Sequence, residues 1–138
     1  MSAPHDLFGP TWTAAFADAL GDSERYATAA ATWEGSLVLE IVADTTRSVF
    51  LDLHRGTCRA ARVADTADHD EATYLLSGDL ATWKRVLAGE IDPLFGLMTG
   101  KLKLRRGSLA ALTPYVEAAR ELVACARAVP TRFPDDVA

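Results

Sequence analysis

The most informative stretch of the sequence runs from residue 74 to residue 107 and reads YLLSGDLATWKRVLAGEIDPLFGLMTGKLKLRRG. Its first residues are apolar and predict a strand, and Gly78 and Asp79 then begin a helix that is predicted over residues 79–88 and ends at Gly89. Asp92 followed by Pro93 predicts the start of a second, shorter helix, Pro93–Met98. The alternation of residues 101–105 predicts a strand with one solvated face. The stretch therefore indicates two strands separated by two helices.

The sequence before this stretch changes to a period of two. Residues 37–42 and 49–54 alternate in this way, and residues 57–63 predict a third strand. Turn-forming residues lie between them at positions 44–46 and 55–56. Three strands joined by short turns predict an antiparallel meander, followed by a polar connection over residues 64–71.

Helices are predicted at both ends of the chain, over residues 11–20, 23–31 and 114–128, from apolar residues at helical spacing. The complete pattern predicts an α+β fold with a five-stranded mixed sheet covered on one face by helices. We expect one domain over residues 1–138, with loose tails at residues 1–9 and 130–138.

The composition limits the classes of function. The chain has 138 residues, a net charge of −5 and a pI of about 5.1, which argues against nucleic-acid binding. Cys58 and Cys125 lack the spacing of a metal site and imply no disulfide framework, which suits a reducing compartment. Because no signal peptide and no long apolar run is present, we expect a cytoplasmic protein.

The sequence contains no recognised catalytic or phosphate-binding motif. His69 lies among carboxylates in residues 65–71, but this segment lacks the pattern of a calcium loop and is interpreted as a solvated connection. No candidate pair of nucleophile and base stands out. We therefore expect a protein that is not an enzyme and that has no catalytic residues, no metal and no cofactor.

Four basic residues form a cluster in this acidic chain: Lys101, Lys103, Arg105 and Arg106. One interpretation is an edge strand kept charged so that it does not pair with other chains. The other is a surface that faces an anionic membrane.

The stretch also resembles the sterol carrier protein 2 family. The residues that carry the resemblance are Asp79, Trp83, Gly89, Pro93, Met98, Gly100, Lys101, Leu102, Leu104 and Gly107. The resemblance implies a stand-alone bacterial domain with an apolar tunnel between sheet and helices, which takes fatty acyl chains, sterols or isoprenoid lipids. It implies binding or transfer of such a ligand without catalysis.

On this interpretation we expect apolar residues of the strands and of the covering helices to line the tunnel. These ligand-binding residues are Leu39, Val49, Leu51, Leu75, Trp83, Leu87, Phe95, Met98, Leu102, Leu104 and Val116. The alternative is an accessory protein whose core is filled and which docks to a partner. The residues do not decide the ligand or the oligomeric state, and a homodimer stays open.

Overall fold

The computed structural model describes residues 4–43 and 46–133. The strands are β1 (His5–Asp6), β2 (Glu34–Val42), β3 (Arg47–His54), β4 (Thr57–Val63), β5 (Tyr74–Asp79), β6 (Lys103–Arg106) and β7 (Thr131–Arg132). The helices are α1 (Pro10–Gly21), α2 (Glu24–Ala29), α3 (Thr66–Glu71), α4 (Leu80–Leu87), α5 (Pro93–Met98), α6 (Leu109–Leu112) and α7 (Val116–Ala128). A 3₁₀ turn, Thr113–Tyr115, joins α6 to α7.

Five strands form one mixed sheet in the order β4-β3-β2-β5-β6. The antiparallel meander of β2, β3 and β4 is confirmed, and Arg55 and Gly56 form its second turn with positive φ angles of 47° and 85°. The first predicted turn includes residues 44 and 45, which lie outside the described residues. β5 runs parallel to β2, and β6 pairs antiparallel with β5 at the sheet edge. The predicted α+β class and mixed sheet are therefore confirmed.

One face of this sheet carries the main core. Leu37, Leu39 and Ile41 alternate along β2 and are buried in the same cluster as Trp12 and Phe16 of α1. Residues from α4 and α7 complete this cluster. The period of two in β2 thus places one side of the strand against the helices.

The opposite face holds α3, which was expected to be part of a polar connection. This expectation is corrected: Asp65 caps the helix and forms a reciprocal capping box with Asp68. His69 Nε2 lies 2.8 Å from Ser48 Oγ, and His69 Nδ1 lies 3.4 Å from Glu40 Oε2. These contacts hold α3 against β2 and β3. The helix lies in the connection that a parallel pair of strands such as β2 and β5 needs.

The expectation of two loose tails is also corrected for the residues that the structure describes. β1 and β7 pair in parallel, joining His5 to Thr131. Leu7 and Phe8 are buried in the main core, and Phe8 packs edge-on against Trp83 with ring centroids 5.6 Å apart. Residues 1–3 and 134–138 lie outside the described residues. The two ends of the described part of the chain are therefore joined by the pairing of β1 with β7.

Several element boundaries differ from the sequence expectations by one to three residues, and two of them have a clear cause. β6 begins at Lys103 and not at Lys101, because Leu102 turns into the core and is 1% exposed. The last helix begins at Val116 and not at Pro114, because residues 113–115 form the 3₁₀ turn. The chain between β6 and α7 therefore consists of two short elements, α6 and the 3₁₀ turn.

Candidate functional site

An apolar cavity lies between the main sheet and its helical cover. Its volume is about 60 Å³. Its wall is made of Trp33, Leu37, Leu39, Leu76, Trp83, Val86, Pro93, Leu94, Leu97, Leu102, Leu112, Val116, Ala119, Leu122 and Val123. No acidic or basic residue is among them. Such a wall suits a hydrocarbon and offers no partner for a charged group.

The strands position the floor of the cavity through their pairing. Leu39 of β2 stands opposite Leu76 of β5, and Leu76 stands opposite Leu104 of β6. Leu39 and Leu76 contribute side chains to the wall, whereas Leu104 packs against the core beside it. The floor is therefore made by residues of β2 and β5 and by Leu102 just before β6.

Trp83 of α4 is held in place at the other side of the cavity. Its indole Nε1 donates a hydrogen bond of 2.8 Å to the backbone carbonyl of Glu40 in β2. The polar end of the ring is thus satisfied, and its apolar body contributes to the wall. This contact fixes α4 to the sheet.

Trp33 closes a further part of the wall and stacks on Tyr115, with ring centroids 5.7 Å apart and planes 17° apart. Trp33 is 3% exposed, and its Nε1 has no hydrogen-bond partner in the described part of the chain. A buried donor without a partner is uncommon, because its desolvation is not compensated. Trp33 therefore differs from Trp83, whose donor is satisfied.

Four of the predicted lining residues lie in the wall: Leu39, Trp83, Leu102 and Val116. Val49 and Leu51 are fully buried in the same core, but they lie away from the cavity, as does Leu104. Leu87 instead lines a second pocket of about 970 Å³, which lies between α4 and residues 126–133. That second pocket has the charged residues Lys84, Arg85, Glu90 and Arg127 in its wall and is less suited to a lipid chain.

The prediction that Leu75 lines the cavity is wrong. Leu75 packs with Val38 and Ala72 in a small separate cluster. Val38 pairs with Leu75 in the parallel register, and both alternate with the cavity-facing Leu39 and Leu76. Because the sheet separates Leu75 from the cavity, this assignment is corrected.

Phe95 and Met98 of α5 do not lie in the wall either. They are 56% and 68% exposed, whereas Leu94 and Leu97 of the same helix line the cavity. Phe95 and Met98 are predicted as lining residues because they are the largest apolar side chains of α5, but they lie on its solvent-exposed side. Eleven wall residues were not predicted to bind the ligand, although the spacing of the last three marks the buried side of α7. They are Trp33, Leu37, Leu76, Val86, Pro93, Leu94, Leu97, Leu112, Ala119, Leu122 and Val123.

Aspartates cap the two helices that cover the cavity. Asp79 accepts a 2.8 Å hydrogen bond from the Thr82 backbone N–H, which is the main cause that holds the pKa of Asp79 below its usual value. Asp92 caps α5 and accepts a 2.7 Å hydrogen bond from Arg120 of α7. Burial alone would raise the pKa of Asp92, but the Arg120 bond and the N–H groups of α5 outweigh it and lower the pKa. Asp79 thus stabilises the start of α4, and Asp92 stabilises the start of α5 and connects it to α7.

The four basic residues are all exposed at or next to the sheet edge. Arg106 donates its Nε–H to the carbonyl of Ala72 at 3.1 Å. Lys103 and Arg105 form no ion pair with any residue in 4–43 or 46–133. Since β6 is an edge strand, its position fits the protective interpretation, and the membrane interpretation stays a prediction.

The polar contacts of α3 do not form a second site. His69 is engaged by Ser48 and Glu40, and no group of three His, Cys, Asp or Glu residues in the described ranges could hold a metal ion. Ser48 is buried and lies on the sheet face away from the cavity, so we assign this contact a structural role. No helix in the same ranges has the length and apolar character needed to span a bilayer.

Comparison with known proteins identifies the family. The SCP-2 sterol transfer family profile matches residues 16–115. A crystal structure of sterol carrier protein 2 is 43% identical and superposes with a TM-score of 0.83, covering 90% of this chain and 99% of that one. A conserved hypothetical protein of Thermus thermophilus, described as possibly a sterol carrier protein, is 41% identical with a TM-score of 0.83, covering 99% of this chain and 97% of the other.

A more distant structure shares the fold alone. Sterol carrier protein 2 of Yarrowia lipolytica, in its apo form, is 18% identical with a TM-score of 0.59, covering 84% of this chain and 89% of that one. Comparison with curated protein sequences gives no significant match. The profile match and the two similar structures agree along most of the chain, and the chain therefore belongs to the SCP-2 sterol transfer family.

Proposed function

We propose that this protein binds a hydrophobic ligand in the cavity between sheet and helices and carries it without chemical change. The ligand would be a fatty acyl chain, a sterol-like molecule or an isoprenoid lipid. The observation that carries the proposal is the cavity wall, in which no charged side chain occurs. Membership of a sterol transfer family and 43% identity to a sterol carrier protein support it.

The driving force is the removal of hydrocarbon from water. Each buried methylene contributes about 0.8 kcal/mol, so a chain of about ten methylenes would gain several kcal/mol after the costs of ordering. A charged headgroup would find no partner among the wall residues and would stay at the rim. We therefore expect affinity to depend on chain length more than on the headgroup.

The cavity must widen to hold such a ligand. Its volume of about 60 Å³ is well below the roughly 300 Å³ at the lower end of ordinary ligand pockets. The part of the cover best suited to move is made of short elements, α5, α6 and the 3₁₀ turn, whereas α7 is a helix of 13 residues. Gly100 follows α5 with a φ of +77° and has no neighbour within 4 Å of a built Cβ, so it is a suitable hinge.

The test is a titration of the purified protein with a pyrene-labelled fatty acid. We expect saturable binding, and we expect Ala119→Leu to weaken it by about tenfold because the larger side chain occupies the cavity. The matched control is Ala124→Leu, an exposed position on the same helix, which should bind like the wild type.

Two outcomes would contradict the proposal. One is a wild-type protein that is folded by circular dichroism and takes up neither fatty acid, sterol nor quinone, which would favour the accessory protein with a filled core. The other is equal binding by the wild type and both variants, which would place the ligand elsewhere.

A further inference from the structure

The wall of the apolar cavity contains a polar group that has no partner. Among the wall residues, only Trp33 and Trp83 have a polar side-chain atom, and in both it is an indole N–H, which donates but does not accept. The N–H of Trp83 donates to the Glu40 carbonyl, whereas that of Trp33 meets no acceptor in residues 4–43 and 46–133. The Tyr26 hydroxyl is also buried without a partner in these ranges, but Tyr26 does not line the cavity. Trp33 is therefore the wall residue whose donor is left for a ligand.

The position of Trp33 is fixed by its backbone and by its ring. Its backbone N–H donates to the carbonyl of Ala30 at 2.9 Å, and its own carbonyl accepts a 2.8 Å hydrogen bond from the N–H of Arg55. Its ring stacks on Tyr115 and also contacts Tyr74, with ring centroids 6.3 Å apart and planes 49° apart. A donor that is held in place before binding loses little freedom when an acceptor arrives. The indole N–H is thus preorganised for a hydrogen bond.

The chemistry of the wall limits the kind of acceptor that fits. A buried water molecule typically makes about three hydrogen bonds, whereas the wall side chains offer one free donor and no acceptor. A carboxylate would exchange its hydration for a single hydrogen bond, which is unfavourable. A hydroxyl would leave its own O–H without an acceptor among the same side chains. A neutral carbonyl oxygen only accepts, so one donor satisfies it.

We propose that Trp33 Nε1 donates a hydrogen bond to a neutral carbonyl oxygen of the bound lipid, as found in a ketone or an ester. The remaining wall takes up the hydrocarbon of the same molecule. Trp33 thereby selects a carbonyl-bearing lipid over a plain hydrocarbon and over an alcohol. This inference rests on the proposed function and names the ligand class of that cavity.

The test compares three probes of equal chain length: dodecane, 2-dodecanone and 2-dodecanol. Their affinities are measured by displacement of the pyrene-labelled fatty acid from the wild type and from Trp33→Phe. The ratio of ketone to alkane affinity cancels the effect of the smaller ring, because both probes meet that ring. We expect this ratio to fall by about fivefold in Trp33→Phe, which is the effect of one hydrogen bond. The ratio of alcohol to alkane affinity should fall by less than about twofold, because the alcohol gains little from the donor.

Trp83→Phe is the matched control. It also replaces an indole of the wall with a phenyl ring, but the N–H that it removes is already bound to Glu40. Its ratio of ketone to alkane affinity should therefore equal that of the wild type, whatever happens to the two affinities themselves.

The indole N–H signals of the ¹⁵N-labelled wild type give a second measurement that needs no folded variant at the site. The Trp33 signal should move downfield when 2-dodecanone binds and should not do so when dodecane binds. The N–H groups of Trp12 and Trp83 already donate to Thr131 Oγ1 and to the Glu40 carbonyl, so their signals should move much less. Trp12→Phe and Trp83→Phe assign these two signals, and the third then belongs to Trp33.

The outcomes separate this inference from the proposed function. Binding of the probes with the same ketone-to-alkane ratio in the wild type and in Trp33→Phe, without a downfield shift of the Trp33 signal, would overturn the role of Trp33. A larger fall of the ratio for the alcohol than for the ketone would overturn the choice of a carbonyl. A folded wild type that binds neither the pyrene-labelled fatty acid nor any of the three probes would overturn the proposed function, and this inference with it.

Discussion

Tyr26 of α2 shows how a single polar atom affects this core. The residue is fully buried, and its hydroxyl has no hydrogen-bond partner in the described part of the chain. A buried polar group without a partner costs about 1–3 kcal/mol. Removing the hydroxyl while keeping the ring should therefore help the folded state.

We predict that Tyr26→Phe raises the free energy of unfolding by about 1 kcal/mol. Urea denaturation would show a higher midpoint with an unchanged slope. The half-buried Tyr115 provides the control, since Tyr115→Phe should change stability by less than about 0.5 kcal/mol. A loss of stability in Tyr26→Phe would mean that the hydroxyl has a partner.

The same residue predicts the behaviour of the protein in alkali. Burial raises the pKa of the Tyr26 hydroxyl, and the nearby Cys58 and Cys125 thiols add to the effect. The unfolded chain ionises this tyrosine near pH 10, so it then binds fewer protons than the folded chain. Its contribution to stability is present below about pH 10 and falls as pH rises above it. The free energy of unfolding of Tyr26→Phe should fall less steeply above pH 10 than that of the wild type, and equal slopes would contradict this assignment.

At the scale of one element, Asp79 ends β5 and caps α4, the helix that carries Trp83. We predict that Asp79→Ala lowers the free energy of unfolding by about 1 kcal/mol, because the Thr82 backbone N–H loses its acceptor. Asp79→Asn keeps a good N-cap and should cost less. Urea denaturation of both variants at neutral pH measures the difference.

The fall of stability in acid tests whether the negative charge of Asp79 stabilises the folded protein. The pKa of Asp79 is lowered by the Thr82 hydrogen bond, so its contribution is complete above the usual aspartate pKa of about 3.9 and is lost as pH falls below it. The pKa values of Asp68 and Asp92 are also lowered, so the whole protein should lose stability in the same range. Asp79→Asn should lose less than the wild type between neutral pH and about pH 3. An identical loss would show that the Asp79 charge contributes nothing.

The elements also show what could be read from the sequence. The signals of α5 and β4 were strong: Asp92-Pro93 and the Arg55-Gly56 turn fix their starts, and the predicted ranges of both match the structure. The orientation of α5 was weaker, because a helix of six residues has under two turns and both of its sides are apolar. Phe95 and Met98 were therefore assigned inward, whereas Leu94 and Leu97 occupy that side.

The side of the sheet on which Leu75 lies could not be predicted from the sequence, for a related reason. Leu75 and Leu76 are adjacent and both apolar, so alternation alone does not choose between them. The parallel pairing of Leu75 with Val38 decides it, and that pairing depends on the crossover through α3. The two-residue pairing of β1 with β7 likewise joins distant positions and has no periodic signal.

At the scale of the whole molecule, the structure is a sheet whose two faces have different roles. One face bears the core and the cavity, and the other bears α3 and the polar contacts among Ser48, His69 and Glu40. The resemblance of residues 74–107 to sterol carrier protein 2 indicates the correct family, and the structure has a small apolar cavity that would have to widen for the proposed function.

The most direct test is an isotope-filtered nuclear Overhauser measurement on protein with ¹³C-labelled Leu and Val methyl groups, saturated with unlabelled palmitate. We predict contacts from the acyl chain to the methyl groups of Leu39, Leu97 and Val116, which lie in the wall. We predict none to Val38 and Leu75, which lie behind the sheet. Contacts to Val38 and Leu75 alone, or none to any wall residue at saturation, would contradict the claim that this cavity is the binding site.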